Sequence, residues 1–239
     1  EYLHVATLLH DDIVDGAEVR RGHPVAHGIW GSPATVLVGD YLLARAINIA
    51  AQTGQTSIID VISRATGHMS EGEIYQLLHR GNINLTEEQY MDVIGRKTAC
   101  LIQAACHTGA LLAGASEQRV QALAAYGNHL GYAFQLVDDL LDYTADPAVL
   151  GKSTGTDLKE GKMTLPLIYA MKQAGNKDRK HMESLIGTTD PTTDQFKATL
   201  TLVNDYGGIA YTRNLAREHL ATAKSRLEVF DTSSTRTIL

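Results

Sequence analysis

Proline, phenylalanine and cysteine are scarce in this 239-residue chain, at five, three and two residues. So few prolines leave long stretches free to be helical, and the abundance of Ala and Leu leans the same way. Cys100 and Cys106 cannot staple a chain of this length and lack a metal-ligand spacing, which excludes a disulfide scaffold and a thiolate zinc site. A reducing, cytoplasmic compartment is the expectation. Uninterrupted apolar runs of the roughly 18 residues that span a membrane are missing, as is a recognisable leader, so no transmembrane segment is expected. Basic residues are also short, with 21 Lys+Arg against 27 Asp+Glu and a net charge of −6. That balance argues against a nucleic-acid partner. It leaves a polyanionic small molecule open, because a divalent metal can reverse the local charge. A hydrophobic content of 44% with 20% charged residues describes a folded chain, long enough for one large domain or two small ones. The chain opens at Glu1 inside an apolar helical pattern, so it is expected to be a piece of a longer molecule.

Helical spacing recurs almost everywhere, and long period-two alternation is absent. A first helix should stop near Gly16. Ser32 with Pro33 predicts an N-cap and a helix to about Gln52. Thr86-Glu-Glu-Gln89 is a capping box, opening a helix that carries Tyr90, Ile94, Lys97 and Leu101 on one face. Ser116 should cap a long helix to about Tyr143. A loop rich in Gly, Ser, Thr and Lys follows over 146–161, and then shorter helices over 166–172, 195–204 and 209–229. No interdomain linker or low-complexity tract is visible.

One pattern occurs twice. His10-Asp11-Asp12-Ile13-Val14-Asp15 and Val137-Asp138-Asp139-Leu140-Leu141-Asp142 both read Asp-Asp-x-x-Asp. At 3.6 residues per turn these positions fall within about a quarter turn, so each motif aims three carboxylates into one small volume. Oxygen-only clusters suit Mg²⁺, which takes a few carboxylates and completes its shell with water and phosphate oxygens. One isolated copy would read as a solvated acidic helix face. Two copies embedded in Leu, Ile, Val and Phe favour a site, with six carboxylates facing across a cavity if the helices lie antiparallel in a bundle. Setting those six aspartates aside leaves 21 acidic against 21 basic residues, so the net acidity sits where metal ions can reverse it. Arg20 and Arg21 follow the first motif, and guanidinium forks match phosphate oxygens. Lys97, Lys152 and Lys162 can add point charges to a diphosphate. Gln135 lies three and four residues before Asp138 and Asp139, on their helix face, and could equally be a buried amide satisfied by a neighbouring helix.

These residues resemble the trans-isoprenyl diphosphate synthases (polyprenyl synthetases) over essentially the whole chain. Leu8 to Asp15 with Arg20-Arg21-Gly22 is similar to the family's first aspartate-rich motif, and Gly39-Asp40 to the helix packed behind it. Glu71-Gly72-Glu73 with Gln76, then Lys97-Thr98-Ala99, resemble its central segments. Phe134 to Asp142 resembles the second aspartate-rich motif, and Gly151-Lys152 and Gly161-Lys162 its trailing lysines. The local sequence is nearest to the long-chain, octaprenyl type.

The resemblance implies an all-α isoprenoid-synthase helical bundle around a central cavity, with residues 1–239 forming a single domain that lacks its N-terminal helices. It implies a transferase that condenses an allylic diphosphate with isopentenyl diphosphate, head to tail and trans, into a long-chain polyprenyl diphosphate for quinone side chains. Two or three Mg²⁺ ions would be held by Asp11, Asp12 and Asp15 and by Asp138, Asp139 and Asp142, with Asp12 supporting. Arg20, Lys97, Lys152 and Lys162 would hold the allylic diphosphate, and Arg21 that of isopentenyl diphosphate. Lys97, Thr98 and Gln135 would serve catalysis, the last two flanking the carbocation. Chain length would be set by Leu3, Ala6 and Thr7, where short-chain enzymes carry an aromatic. Tyr2, Met69 or Leu42 could close the tunnel further on. The family's upstream Gly-Gly-Lys-Arg segment and a further His have no counterpart here. A homodimer is implied, with the apolar stretch 101–112 a candidate interface or core. A class I terpene cyclase, a non-catalytic partner subunit and a structural bundle with acidic faces remain alternatives. The repeated Asp-Asp-x-x-Asp and the intactness of both copies weigh against the first two.

Overall fold

The computed structural model describes residues 1–20, 22–144, 155–186, 188 and 192–238. Arg21, Lys152 and most of the 146–161 loop lie outside the described residues. Among the described residues, extended structure is confined to a hairpin of Val19–Arg20 (β1) and His23–Pro24 (β2), with Arg20 opposite His23. The rest is helical, as the lack of alternation predicts.

The chain divides into two compact units, Glu1–Thr66 and Gly67–Leu239. In the first, α1 (Tyr2–Val14) and α2 (Ala26–Trp30) pack on α3 (Ser32–Gln52). Helix α1 gives way at Gly16, which takes the left-handed conformation at φ 63°. The cap of α3 falls one residue earlier than the Ser32-Pro33 signal places it. Gly31, at φ 82°, is the N-cap, and Ser32 is already helical with Pro33 in the first turn. Behind the first motif, α3 comes close enough that a Cβ on Gly39 would lie 2.2 Å from Nε2 of His10. That nitrogen sits 3.2 Å from the Val36 carbonyl oxygen and 3.6 Å from Oδ1 of Asp40. His10 therefore ties the motif helix to the helix behind it, and Gly39 makes the room.

Helix α3 is also long and apolar enough to cross a membrane by length and composition. A count of uninterrupted apolar residues misses this, because Asp40 and Arg45 break the run. Its buried positions Thr35, Gly39 and Ala50 contrast with exposed Val36, Leu37, Val38, Tyr41, Ile47 and Ile49.

Helix α4 (Thr56–Leu78) leads into the second unit, which continues with α5 (Glu87–Ile94), a π-helical turn (Gly95–Ala99), α6 (Cys100–Leu112) and α7 (Glu117–Thr144). The capping box is formed: Gln89 N donates to Thr86 Oγ1 at 3.2 Å, and Thr86 N donates to Gln89 Oε1 at 3.0 Å. The helix it opens does not run straight through Lys97 to Leu101, as the spacing predicts. The π turn interrupts it and carries both Lys97 and Thr98. After the undescribed loop come α8 (Thr156–Lys159), α9 (Leu165–Gln173), α10 (Asn176–Glu183), α11 (Thr193–Asp205), α12 (Gly208–Arg226), a 3₁₀ turn (Leu227–Val229) and α13 (Ser234–Ile238). The core of this unit gathers Leu136 and Leu140 of α7 with Leu158, Leu165, Leu167, Met182 and Val203. Helices α6 and α12 both pack along α7. The stretch 101–112 thus serves as core, with Ala104 and Ala110 buried and Leu112 its exposed large side chain.

Candidate active site

The first motif ends α1, so all three of its carboxylates leave the same last turns of a helix. Their surroundings differ. Asp12 is buried, at 4% exposure, and its Oδ1 accepts from Nε of Arg20 at 2.8 Å, with Nη2 at 2.7 Å. The β1–β2 hairpin brings Arg20 back onto the helix. Asp11 and Asp15, four residues apart on one face, are half-buried. Upstream on α1, Leu3 and Ala6 are buried at 5% and 2% exposure, and the Thr7 hydroxyl donates to the His4 carbonyl at 2.9 Å.

The second motif, near the end of α7, has the same division. Asp138 is exposed and Asp142 half-buried, while Asp139 is buried at 5% exposure. Tyr90 donates its phenol proton to Oδ2 of Asp139, and Gln135 donates from Nε2 to Oδ1 at 2.7 Å. Burial pushes the Asp139 carboxyl up to about 6, with Asp138 and Asp142 adding repulsion, while the hydrogen bonds from Tyr90 and Gln135 oppose the rise. Asp12 and Asp139, expected with the metal-binding carboxylates (Asp12 in support), are turned inward onto protein partners. The reason is angular: the second position lies about 100° from the first around the helix, whereas the fifth lies only about 40° away.

Thr98, on the π turn, donates from Oγ1 to Oε1 of Gln135 at 2.8 Å, so the two residues expected beside the carbocation do meet. Lys97 forms an ion pair with Glu73 of α4, at 2.5 Å from Nζ to Oε1, each side chain about a quarter exposed (24% and 23%). Helix α4 reaches the turn because residue 72 is glycine: a Cβ there would lie 2.6 Å from the Lys97 backbone nitrogen. Lys162 pairs with Glu160 at 2.6 Å. The two carboxylate oxygens of Asp142 accept from the backbone N–H groups of Thr156 and Asp157, both at 3.1 Å, which anchors the first turn of α8.

Sequence reasoning missed two residues here. Asp157 has its carboxyl raised well above the usual range by burial and then by Asp139 and Asp142. Its signal was an acid between Gly155 and Gly161-Lys162, which reads as an ordinary loop residue. Tyr90 reads in the sequence only as one of several side chains along a helix face.

Among the described residues, no group of three or more His, Cys, Asp or Glu side chains is arranged to hold a metal ion by itself. The donor chemistry still fits a hard cation. The groups are oxygen-only, and the Asp139 and Asp157 carboxyls are raised by burial first and then by neighbouring carboxyls. Mg²⁺ characteristically takes one or two carboxylates and draws its remaining ligands from water and substrate phosphate.

The family profile described as "Polyprenyl synthetase" matches residues 1–203. This chain belongs to the polyprenyl synthetase family. It is 37% identical over 243 residues to the "Short chain isoprenyl diphosphate synthase" of Methanothermobacter thermautotrophicus, covering 100% of this chain and 74% of the relative. It is 41% identical over 229 residues to the "Octaprenyl diphosphate synthase" of Escherichia coli K12, covering 96% and 71%. The crystal structure of a polyprenyl synthase from Caulobacter crescentus, complexed with calcium and isoprenyl diphosphate, superimposes with a TM-score of 0.91 at 40% identity, covering 98% of this chain and 72% of that one. The family's all-α architecture is the one seen here.

Proposed function

We propose that this chain is a Mg²⁺-dependent polyprenyl diphosphate synthase, which joins an allylic diphosphate to isopentenyl diphosphate, head to tail and trans, and makes a long-chain product. The observation that carries this is the shared arrangement of the two motifs in a member of this family. In each, the second aspartate is buried on protein partners, while the first and fifth are half-buried or exposed. Asp11 with Asp15, and Asp138 with Asp142, would hold the metal. Bound Mg²⁺ would neutralise charge on the leaving diphosphate.

The chain's own residues account for the rest. Arg20, Lys97 and Lys162 offer cations to the allylic diphosphate, each already steered by a carboxylate: Asp12, Glu73 and Glu160. Diphosphate exchanges for or shares these partners on binding. The Thr98 hydroxyl gives its proton to Gln135, which leaves oxygen lone pairs on both groups for a positive charge developing at the allylic carbon. The alkene of isopentenyl diphosphate forms the new carbon–carbon bond there, the allylic diphosphate departs with the bonding electrons, and a proton is lost from the adjacent carbon to the departing diphosphate. No side-chain nucleophile is needed.

A homodimer fits the open apolar side of α3, whose Leu37 and Tyr41 are 68% and 65% exposed. A cytoplasmic location accords with the free thiols of Cys100 and Cys106. The test of function is incorporation of radiolabelled isopentenyl diphosphate with farnesyl or geranylgeranyl diphosphate, with and without Mg²⁺. Metal-dependent elongation is expected. A terpene cyclase would leave the label unused.

A further inference from the structure

Four side chains of the second unit form an unbroken series from the core to the catalytic turn. The Tyr90 phenol, on α5, donates to Oδ2 of Asp139, and Oδ1 of the same carboxylate accepts from Nε2 of Gln135 at 2.7 Å. Oε1 of Gln135 accepts from the Thr98 hydroxyl at 2.8 Å. Tyr90 and Asp139 are 3% and 5% exposed, so water does not substitute for either partner. The outer end, Thr98 with Gln135, is half-buried and open to a ligand.

The series has a direction. A carboxylate only accepts, so the amide of Gln135 must turn its NH₂ end inward to Asp139 and its oxygen outward to Thr98. Thr98 in turn gives its proton inward. Both groups therefore end with negative charge density outward. A reversed amide would place two N–H bonds at that spot, the wrong polarity beside a developing cation. What keeps the carboxylate in place is Tyr90, since Oδ2 would otherwise be a buried acceptor with its donor removed.

We propose that Tyr90 is a positioning residue for prenyl transfer: through Asp139 it fixes the Gln135 amide with its oxygen towards the reacting carbon. This rests on the reading of Thr98 and Gln135 as the groups beside the allylic cation. Tyr90 touches no substrate and acts only through the series.

Tyr90→Phe keeps the ring and deletes the donor. The expected result is a kcat lower by on the order of 10- to 100-fold, with both KM values within about twofold, because the diphosphate-binding groups are untouched. The decisive comparison is with Gln135→Leu. If Tyr90 acts through the amide, the double variant has the kcat of Gln135→Leu alone, whereas independent effects would multiply. A merely structural role would lower the fraction of folded enzyme and leave the double variant worse than either single one. Should Tyr90→Phe fail to fold, Asp139→Asn breaks the series at the next link: its NH₂ can face Gln135 and turn the amide over. Its loss of kcat should likewise vanish in the Gln135→Leu background. Unchanged kcat in Tyr90→Phe, or multiplying losses in the double variants, would overturn the proposal while wild-type elongation continues. Wild-type protein that does not elongate an allylic diphosphate at all would instead remove the functional reading beneath it.

Discussion

Oδ1 of Asp12 lies within hydrogen-bonding reach of two guanidinium nitrogens of Arg20, Nε at 2.8 Å and Nη2 at 2.7 Å. The contact ties the last turn of α1 to the hairpin that follows it, so the second aspartate of the first motif is a fastening for its neighbours. Asp139 does the same work in the second motif, with Tyr90 and Gln135 in place of arginine. Two helices thus use one spacing in a similar way: position two is buried on protein partners, and positions one and five are less buried.

That division separates two kinds of variant. Asp138→Ala should abolish Mg²⁺-dependent elongation while the urea denaturation curve stays within about 0.5 kcal/mol of wild type, as for substitutions at exposed sites away from packing. Asp12→Ala and Asp139→Ala should lose stability as well. The Asp12 variant should fall by about 1–3 kcal/mol, less than for a fully buried pair because Arg20 is 40% exposed and partly screened. Equal stability across the three proteins would remove the distinction between buried and exposed carboxylates.

Gly72→Ala tests the seat of Lys97. The new methyl would meet the Lys97 backbone at 2.6 Å from nitrogen and 2.9 Å from Cα, and backbone cannot swing aside as a side-chain end can. The π turn must move, at a cost of about 1–3 kcal/mol for overpacking. A raised KM for the allylic diphosphate should accompany it, since the Lys97–Glu73 pair moves with the turn. Steady-state kinetics that match wild type would show that α4 does not seat the lysine.

Local rules made parts of the fold legible in advance. The Thr86/Gln89 capping box, the break at Gly16 and the helical texture all follow from chemistry within a few residues. The π turn was not legible, because Tyr90, Ile94, Lys97 and Leu101 keep an acceptable helical spacing and the glycine that opens it, Gly95, is tolerated inside an ordinary helix. Both α4 and α7 pack against it from elsewhere in the chain. The candidate site divides in the same way. The doubled Asp-Asp-x-x-Asp stood out by repetition, but which carboxylate turns inward depends on Arg20, Tyr90 and Gln135, at separations of 8, 49 and 4 residues. Asp157 was missed for the same reason: a loop acid gains meaning only when Asp142 accepts from its backbone.

The join between α7 and α12 should be sensitive to acid. The Nδ1 atoms of His129 and His219 lie 3.1 Å apart, so one ring must accept and stay neutral there. Both rings are held below the usual imidazole range. For His129 the causes are burial and then Arg226. For His219 they are burial and then His129, with Glu218 opposing and the Tyr132 ring 4.9 Å away. A folded-state value below the unfolded one means that the unfolded chain takes up protons first. Stability from this pair is therefore complete above about pH 6.5 and is lost as pH falls through the folded-state values. Urea midpoints should drop as pH falls below about 6.5, and the drop should shrink when both histidines are replaced by glutamine. An identical pH dependence in that double variant would place the acid sensitivity elsewhere.

Ala6→Phe addresses product length. Ala6 lies five residues before Asp11 and is 2% exposed, so a phenyl ring cannot be accommodated there without displacing its neighbours. Overpacking should lower stability by about 1–3 kcal/mol. If this stretch of α1 borders the path of the growing chain, the displaced atoms also shorten that path. Products from geranylgeranyl diphosphate should then shift to fewer isoprene units on reversed-phase chromatography, while initial incorporation from a short primer persists. Ala6→Val is the control for packing alone, because it adds bulk without an aromatic ring and should leave the distribution nearer to wild type. A Phe variant that is less stable yet makes wild-type products would confine Ala6 to packing against its own unit and move length control to another part of the chain.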